Sequence, residues 1–468
     1  MRDDFPGEDS PSPSKEGGLG GLLARPQAVL ILSFAAVILL GGALLSMPFC
    51  QVHPVAFLDG LFTSVSAVCV TGLVTKDTGG DFSLAGQWVI LGLIQVGGLG
   101  IMTFSAFLGS LLGRRLSLRN HYVLQDVFLP EQSSGKFGKI LVFIVVVTAV
   151  VEALGALLLW IRLGANQAAL FPALFHSVSA FCNAGFSLWS DSLVRFRGDP
   201  WVNLVILGLI VTGGLGHVVL FEVTRRIFHH RKKDLPVLFS LHTRLVFWTT
   251  LSLIVLGAVL FFLFESGNSL AGLPAGEKAL ASLFQSVTPR TAGFNTLDMG
   301  ALSTPALLLL VCLMLVGGSP GSTAGGMKTT TFVVFFASLR SWLRGEENVT
   351  IFKREIPLEA GKRSVVIASS VFLLLAAGTF VLSLTEGKPV PFHKQGSFLT
   401  AYFFEAASAL GTVGLSTGVT PTLSGLGKAT LMVLMFAGRL GPLTLATFAR
   451  GPEKGPKVGY PEEQVMLG

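Results

Sequence analysis

The chain has 468 residues, of which 51% are hydrophobic and only 13% are charged, and its mean hydropathy is +0.68. A soluble domain of average make-up carries about 25% charged residues, so this composition excludes an ordinary soluble protein and indicates an integral membrane protein. The formal net charge is +7, but the basic residues lie in loops between apolar segments, which indicates membrane orientation rather than nucleic-acid binding.

The chain begins with a polar tail followed by four units that each start with a long apolar segment. Residues 1–26 are rich in Asp, Pro, Ser and Gly, which predicts a disordered tail. The four apolar segments exceed the roughly 20 residues that a helix needs to cross a bilayer. These predicted first spans are 27–49, 139–164, 244–265 and 362–385.

A shorter stretch follows each first span and is too short or too polar to cross, so we predict a re-entrant half-helix there. The predicted half-helices are 59–67, 172–180, 277–287 and 398–409, and second spans follow at 87–112, 201–224, 305–338 and 428–449. The predicted fold class is therefore all-α and membrane-integral, with eight spans. The predicted units are repeat 1 (27–113), repeat 2 (139–228), repeat 3 (244–339) and repeat 4 (362–449), followed by a tail at 450–468.

Each half-helix closes in a turn of small residues around a single glycine. These glycines are Gly72, Gly185, Gly293 and Gly414, which are 113, 108 and 121 residues apart. A phenylalanine lies ten residues before each of them, except for the third, where the distance is nine. Each second span is broken 24 to 28 residues after the turn by glycines that begin at Gly97, Gly213, Gly317 and Gly438. The spacing of the phenylalanines and the spacing of the breaks both recur in four copies, which indicates internal repetition.

The four turns together predict an ion filter. A ring of backbone carbonyls can replace the hydration shell of an ion without a formal charge, and glycine permits the backbone angles that aim carbonyls at one axis. The turns contain no Asp or Glu, which favours a filter for a monovalent cation over a ring of carboxylates. The predicted carbonyl ligands are Val70, Thr71, Gly72, Asn183, Ala184, Gly185, Thr291, Ala292, Gly293, Thr412, Val413 and Gly414.

The distribution of basic residues predicts the orientation in the membrane. Of the 34 Lys and Arg residues, 23 lie in the two tails and in the loops at 113–139, 225–244 and 340–363, and nine lie on the opposite side. Because cytoplasmic loops carry the excess of Lys and Arg, we expect both termini in the cytoplasm and the glycine turns facing outside.

With these turns and spans, the chain resembles the superfamily of Trk, Ktr and HKT potassium transporters over residues 27–468. The match is closest to the Ktr B-type subunit, because residues 1–26 leave no room for the additional helix pair typical of Trk H-type proteins. The resemblance implies four pseudo-symmetric span, pore-helix, span units around a central pore, as in a potassium channel. In that family a glycine in the first turn favours potassium and a serine admits sodium, and this chain has Gly72. The doubled Gly-Tyr-Gly pattern of channels is missing, so we expect a shorter column of ion sites and looser selectivity.

The third second span is interrupted by a segment too rich in glycine and proline to form an ordinary helix. It consists of Gly317, Gly318, Ser319, Pro320, Gly321, Ser322, Thr323, Ala324, Gly325 and Gly326. The resemblance implies an intramembrane loop that blocks the pore beneath the filter and moves to admit ions, with Arg439 as an electrostatic barrier. A static kink, and an arginine that only satisfies loop carbonyls, are the alternatives.

Three further charged residues lie in or near the membrane segments. Lys328 would cap the interrupted segment or line the cytoplasmic vestibule, and the sequence does not decide between these. For Glu152 we expect a satisfied hydrogen bond between helices rather than a cation site. For Arg290 we expect pairing with a nearby acid or carbonyl rather than steering of ions.

The resemblance also implies partners. Soluble RCK-type nucleotide-binding regulatory subunits, similar to KtrA and TrkA, would dock on the cytoplasmic face, whose basic loops also suit anionic membrane lipids. The tail at 450–468 resembles the family segment that packs between two protomers of a homodimer. We expect a bacterial cytoplasmic membrane location, no covalent cofactor and potassium as the substrate. Whether sodium is co-transported or only stimulates is left open.

Three rival classes remain to be weighed. A secondary transporter of another solute would have broken helices at midplane and commonly inverted repeats, whereas these four units share one orientation. A membrane enzyme would need paired carboxylates, a His/Cys metal cluster or a nucleophile with a base, and the sequence shows none at a plausible depth. A non-conducting membrane scaffold would pass no ions.

Overall fold

The computed structural model of the protein describes residues 26–100, 137–229, 239–346, 348–387 and 398–441. Several predicted regions lie outside the described residues. They are the tails at 1–25 and 450–468, the end of repeat 1 at 101–113, the end of repeat 4 at 442–449, and most of the basic loop between repeats 2 and 3.

The described residues form fourteen α-helices and one β-hairpin. The first unit contains α1 (Pro26–Leu45), α2 (Phe57–Val68) and α3 (Leu84–Leu99). The second contains α4 (Phe137–Arg162), α5 (Gln167–Phe181), α6 (Pro200–Leu215) and α7 (His217–His229). The third contains α8 (Leu241–Glu265), α9 (Ala275–Val287), α10 (Thr304–Leu315) and α11 (Thr329–Leu343). The fourth contains α12 (Leu358–Glu386), α13 (Phe398–Gly411) and α14 (Gly425–Leu440).

Each unit has the predicted order of first span, half-helix, turn and second span, which confirms the fold class. The half-helices are α2, α5, α9 and α13. Among the half-helices, the largest boundary error is in α5, which begins at Gln167 and not at the predicted residue 172. Asn166 starts it as the N-cap, since its side chain accepts a hydrogen bond from the backbone N–H of Ala169 at 2.9 Å. Pro172 therefore lies inside the helix rather than at its start.

Three of the described helices are long and apolar enough to cross a membrane unbroken: Leu141–Arg162, Leu241–Glu265 and Leu358–Glu386. A fourth candidate is the pair Pro200–Leu215 and His217–Ile227, which is bent by 104°. The bend lies at Gly216, whose φ is +84°. The predicted break of this second span is thus a sharp corner.

Sequence analysis did not predict the β-hairpin, which lies within the expected cytoplasmic loop 340–363. Its strands β1 (Val349–Ile351) and β2 (Arg354–Ile356) pair antiparallel. Phe352 and Lys353 form the turn with φ values of +48° and +61°. The strands have three residues each, too few for an alternating pattern to stand out in the sequence.

The same contact holds the half-helix on the first span in units 1, 2 and 3. A serine hydroxyl of the half-helix donates to a span carbonyl, and a span glycine packs against that serine. The hydrogen bonds are Ser64 to Ile38 at 2.7 Å, Ser177 to Glu152 at 2.6 Å and Ser286 to Ile254 at 2.7 Å, and the glycines are Gly41, Gly155 and Gly257. Small residues that allow close approach are typical of helix contacts in membranes.

A second glycine contact supports the C-terminal end of the half-helix in units 1, 2 and 4. A Cβ added to the second-span glycine would collide with the last carbonyls of the half-helix. The pairs are Gly97 with Val68, Gly213 with Phe181, and Gly438 with Leu410. In unit 3 the corresponding Gly317 instead lies against Gly325 of its own interrupted segment. The half-helix ends, and so the turns that follow them, are placed by these contacts.

This packing predicts opposite effects for two substitutions in α6. Gly213→Ala should destabilise the protein by about 1–3 kcal/mol, because the new methyl group meets a backbone carbonyl that cannot move aside. Gly208→Ala is the matched control, since a Cβ there meets no atom within 4 Å, and it should stabilise by up to ~1 kcal/mol through helix propensity. Thermal unfolding of the two purified variants in one detergent measures both, and equal melting temperatures would contradict the assigned contact.

Candidate functional site: a ring of four glycine turns above an intramembrane loop

The four glycine turns, which we define as residues 70–72, 183–185, 291–293 and 412–414, meet in one closed ring. A Cβ added to the glycine of each turn would collide with the carbonyl oxygen of the middle residue of another turn. The contacts run from Gly72 to Ala184, Gly185 to Ala292, Gly293 to Val413 and Gly414 to Thr71. They therefore connect units 1, 2, 3 and 4 in chain order and return to unit 1.

Contacts away from the turns connect the units in the same order as the ring. Units 2 and 3 are joined by a hydrogen bond from the Leu193 N–H to the Asn295 carbonyl at 3.1 Å. Units 4 and 1 are joined by an ion pair at 2.7 Å between Lys428, in the first turn of α14, and Asp59, in the first turn of α2. The chain does not connect these two units directly, so the ion pair closes the circle.

The backbone has the same unusual conformation in all four turns. The first and third residues of each turn have positive φ. The values are +56° and +97° for Val70 and Gly72, +59° and +70° for Asn183 and Gly185, +72° and +78° for Thr291 and Gly293, and +52° and +95° for Thr412 and Gly414. Valine and threonine rarely adopt positive φ, which costs on the order of 1–3 kcal/mol per residue and is found mainly where function requires it.

The hydrogen bonds of the turns leave their carbonyl groups unpaired. The middle N–H of each turn donates backward to its half-helix end: Thr71 to Ser66 at 2.8 Å, Ala184 to Ser179 at 2.7 Å, Ala292 to Thr288 at 2.9 Å and Val413 to Ser408 at 2.8 Å. Within the described residues, none of the twelve carbonyl oxygens of the turns accepts a hydrogen bond from the protein. Buried carbonyls are nearly always paired, so this set is available to bind water or a cation.

A hydroxyl side chain at the end of each half-helix braces the turn. Ser66 and Ser408 each accept a hydrogen bond from the N–H of the glycine of their turn at 3.0 Å. Ser179 and Thr288 instead donate to the carbonyl of the residue after the glycine, at 2.8 Å and 2.5 Å. Sequence analysis did not assign these four residues to the site. Their recurrence five or six positions before each glycine was the signal that would have identified them.

The interrupted segment of unit 3, residues 317–326, lies against this ring on the side where the second spans are broken. The chain folds back on itself here through a hydrogen bond from the Gly317 N–H to the Met327 carbonyl at 2.9 Å. Thr323 donates from its hydroxyl to the Phe181 carbonyl, next to the second turn, at 3.2 Å. A Cβ on Gly325 would collide with the Thr412 side chain of the fourth turn. The predicted gate residues 317–326 therefore form a loop and not a helix.

The loop is held mainly by the corner of unit 2. Ser319 donates from its N–H to Gly214 at 3.0 Å and from its hydroxyl to Gly214 and Leu215. His217 donates from its backbone N–H to Gly321 at 3.1 Å, and its Nδ1 lies 2.6 Å from the same carbonyl. These hydrogen bonds join the loop to the last turn of α6 and to the first residue of α7.

Arg439, in the last turn of α14, lies beside the loop. Its guanidinium donates to the carbonyl of Thr323 in the loop and to the carbonyl of Gly97 in unit 1. It forms no ion pair with a described acidic residue. Arg439 of unit 4 thus ties the loop of unit 3 to unit 1 through its two carbonyl contacts.

The structure decides two of the remaining expectations and corrects a third. Lys328 donates from Nζ to the Ala324 carbonyl, so it caps the loop. Glu152 accepts a hydrogen bond from Gln95 at 3.1 Å, which confirms a contact between helices. For Arg290 the expected acid or carbonyl partner is not found among the described residues, and its guanidinium donates instead to the hydroxyl of Thr250 at 3.3 Å.

Comparison with known proteins identifies the family. The family model described as TrkH, cation transport protein, matches residues 26–454. The chain is 40% identical over 449 residues to the Ktr system potassium uptake protein B of Bacillus subtilis (strain 168), covering 95% of this chain and 97% of that protein. It is 34% identical over 452 residues to the potassium/sodium uptake protein NtpJ of Enterococcus hirae, again covering 95% and 97%.

A solved structure shows the same fold. The crystal structure of the potassium transporter TrkH from Vibrio parahaemolyticus superimposes with a TM-score of 0.70 at 19% identity, over 90% of this chain and 84% of that one. The chain belongs to the TrkH family of cation transport proteins. The predicted superfamily is thereby confirmed, and the relatives are named as transport proteins and not as enzymes.

The unpaired carbonyls predict that a cation stabilises the fold. Added potassium chloride should raise the melting temperature of the purified protein relative to choline chloride of equal ionic strength. A ligand at a hundred times its dissociation constant adds about 2.7 kcal/mol of stability. Thermal unfolding over a series of potassium concentrations measures this, and the same curve in both salts would contradict cation binding by the ring.

Proposed function

We propose that this protein takes up potassium ions across the bacterial cytoplasmic membrane through the ring of glycine turns. One observation carries the proposal: the four turns meet in one ring, and none of their twelve carbonyl oxygens has a hydrogen-bond donor among the described residues. The names of the relatives in Bacillus subtilis and Enterococcus hirae, which describe potassium and potassium/sodium uptake, support the choice of ion.

The proposed filter works through backbone dipoles. The twelve predicted ligands, from Val70 to Gly414, would replace the water around the ion with carbonyl oxygens. The half-helices add to this effect because each one ends next to its turn, and the C-terminal end of a helix carries a partial negative charge of about −0.5. A cation at the centre would be attracted by four such ends without meeting a carboxylate that could hold it too tightly.

The proposed gate is the loop at 317–326 together with Arg439. With the loop in place, Thr323 and Gly325 lie directly against the second and fourth units, and the positive charge of Arg439 opposes a cation below the filter. Displacement of the loop would break the contacts of Ser319, His217 and Arg439 together. The inward potential supplies about 2.3 kcal/mol per charge per 100 mV to drive uptake.

The proposal includes the predicted assembly and orientation. Both termini would face the cytoplasm, where a ring of RCK-type nucleotide-binding subunits would control the gate, and the chain would form a homodimer. The name Ktr system potassium uptake protein B implies that such a protein works within a multi-component system. A secondary transporter of another solute is the second candidate, but the ring contacts favour four parallel units over two inverted halves.

Uptake in potassium-starved cells tests the proposed function. Cells that express the protein should accumulate potassium or rubidium, and Gly72→Ser should lower the discrimination against sodium by about tenfold, or ~1.4 kcal/mol. The reason is that a side chain at Gly72 meets the Ala184 carbonyl and displaces neighbouring ligands.

Gly272→Ser is the matched control for this test. Gly272 also has a positive φ, +76°, but a Cβ there meets no atom within 4 Å. It should leave the ratio of potassium to sodium uptake unchanged. Equal ratios in wild type and Gly72→Ser would remove Gly72 from the filter.

The gate assignment makes a separate prediction. Arg439→Ala should raise the rate of potassium flux severalfold, because it removes the charge beside the loop together with the hydrogen bonds to Thr323 of the loop and to Gly97 of unit 1. Arg439→Lys keeps the charge and should stay close to wild type. Flux into vesicles that contain equal amounts of each variant measures this, and an unchanged or lower rate in Arg439→Ala would contradict the gate.

A further inference from the structure

One layer of side chains behind the ring differs systematically between the units. In every unit a fully buried phenylalanine of the half-helix is followed directly by a polar residue. The phenylalanines are Phe62, Phe175, Phe284 and Phe404, and the residues that follow them are Thr63, His176, Gln285 and Glu405. These four polar residues occupy cognate positions, and each is at most 1% exposed.

In unit 4, Glu405 clamps the segment that leaves the turn on its outer side. One carboxylate oxygen accepts hydrogen bonds from the Ser416 hydroxyl at 2.7 Å and from the Thr417 N–H at 2.9 Å. The other accepts from the Thr420 hydroxyl at 2.6 Å. Ser416 follows the glycine by two residues and also accepts from the Gly418 N–H at 2.9 Å. The outer segment 416–420 is thereby fixed to the half-helix.

In unit 2, His176 makes the cognate contacts. Its Nε2 lies 3.0 Å from the Ser187 hydroxyl and accepts from the Leu188 N–H at 3.4 Å. Ser187, again two residues after the glycine, accepts from the Trp189 N–H at 3.0 Å, and the Trp189 ring stacks on the imidazole at 3.9 Å between centroids. The same three elements recur, and we call them the clamp: a buried acceptor on the half-helix, a serine two residues after the glycine, and the backbone of the segment that follows the turn.

Units 1 and 3 lack this clamp. In unit 1 the Thr63 hydroxyl donates to Asp59 of its own helix. In unit 3 neither the amide oxygen nor the amide nitrogen of Gln285 has a partner among the described residues, and the nearby outer segment contains the buried and equally unpaired hydroxyl of Thr296. Neither unit has a serine two residues after its glycine, where Val74 and Asn295 stand.

The ring contacts place units 2 and 4 opposite each other, because the order around the ring is 1, 2, 3, 4. We propose that Glu405 and His176 are positioning residues that hold two opposite sides of the filter, and that this clamp sets the discrimination between potassium and sodium. The proposal rests on the proposed function. To coordinate the smaller sodium ion, the carbonyls would have to move inward, and the clamp resists that movement by fixing the segment that follows each glycine.

The test compares substitutions at cognate positions with and without a clamp. Glu405→Ala and His176→Ala remove the acceptor, Glu405→Gln keeps an acceptor oxygen, and Gln285→Ala changes the unclamped position. The ratio of rubidium uptake to sodium uptake is measured in potassium-starved cells and normalised to the amount of each variant in the membrane.

We expect the ratio to fall by about fivefold in Glu405→Ala, a change comparable to the net free energy of a single hydrogen bond, and to fall in His176→Ala as well. Glu405→Gln should restore most of the ratio, and Gln285→Ala should stay near wild type. If Glu405→Ala does not reach the membrane, Ser416→Ala takes its place in the comparison with Gln285→Ala. This variant removes one hydrogen-bond donor and leaves the buried Glu405 side chain in place.

Two results would overturn the proposal in distinguishable ways. A wild-type protein that takes up no rubidium would overturn the proposed function and the clamp together. A selective wild type whose ratio is the same in Glu405→Ala or Ser416→Ala, or shifts equally in Gln285→Ala, would overturn the clamp alone.

Discussion

The structure depends on one constraint, which is that the carbonyls of the four turns have no donor among the described residues while the neighbouring N–H groups are satisfied. A peptide group cannot turn its oxygen inward without turning its N–H outward, so something behind the turn must accept that hydrogen bond. The ends of the half-helices fulfil this need, since Thr71, Ala184, Ala292 and Val413 all donate to them. Each half-helix must therefore end within hydrogen-bond distance of its turn, and the contacts with the two spans of the unit hold it there.

The two glycine contacts provide that placement. On one side a serine of the half-helix reaches a first-span carbonyl next to a glycine, and on the other side the helix end rests on a second-span glycine. Between helices in a membrane the hydrophobic effect does not distinguish protein from lipid, so close van der Waals contact and hydrogen bonds must supply the stability. A chain with 55 glycines is suited to this kind of packing.

Much of the architecture followed from the sequence because repetition amplifies weak signals. One glycine after a short apolar stretch predicts little, but four in register predict both the half-helices and a shared function. The positive φ of Val70, Thr291 and Thr412 could not be predicted, because β-branched residues disfavour it and only the assembled ring imposes it. The partner of Arg290 lies 40 residues away in the sequence. The hydrogen bonds of His176 and Glu405 reach 11 to 15 residues ahead, across the turn, which is beyond the spacing of any local helix pattern. The corner at Gly216 packs against the loop of unit 3, a contact between two units that no local sequence pattern reveals.

The loop beneath the ring occurs in the third unit only, among the residues that the structure describes. In an assembly of four identical chains, symmetry would repeat such a segment four times, and four loops reaching the same axis would occupy the same volume. Fusing the units into one polypeptide removes this restriction. Each quarter can then specialise: the third carries the loop, the fourth carries Arg439, and the second and first supply the corner and the Gly97 carbonyl that they contact. Covalent linkage thus allows a ring of four similar turns to be surrounded by four different sets of contacts.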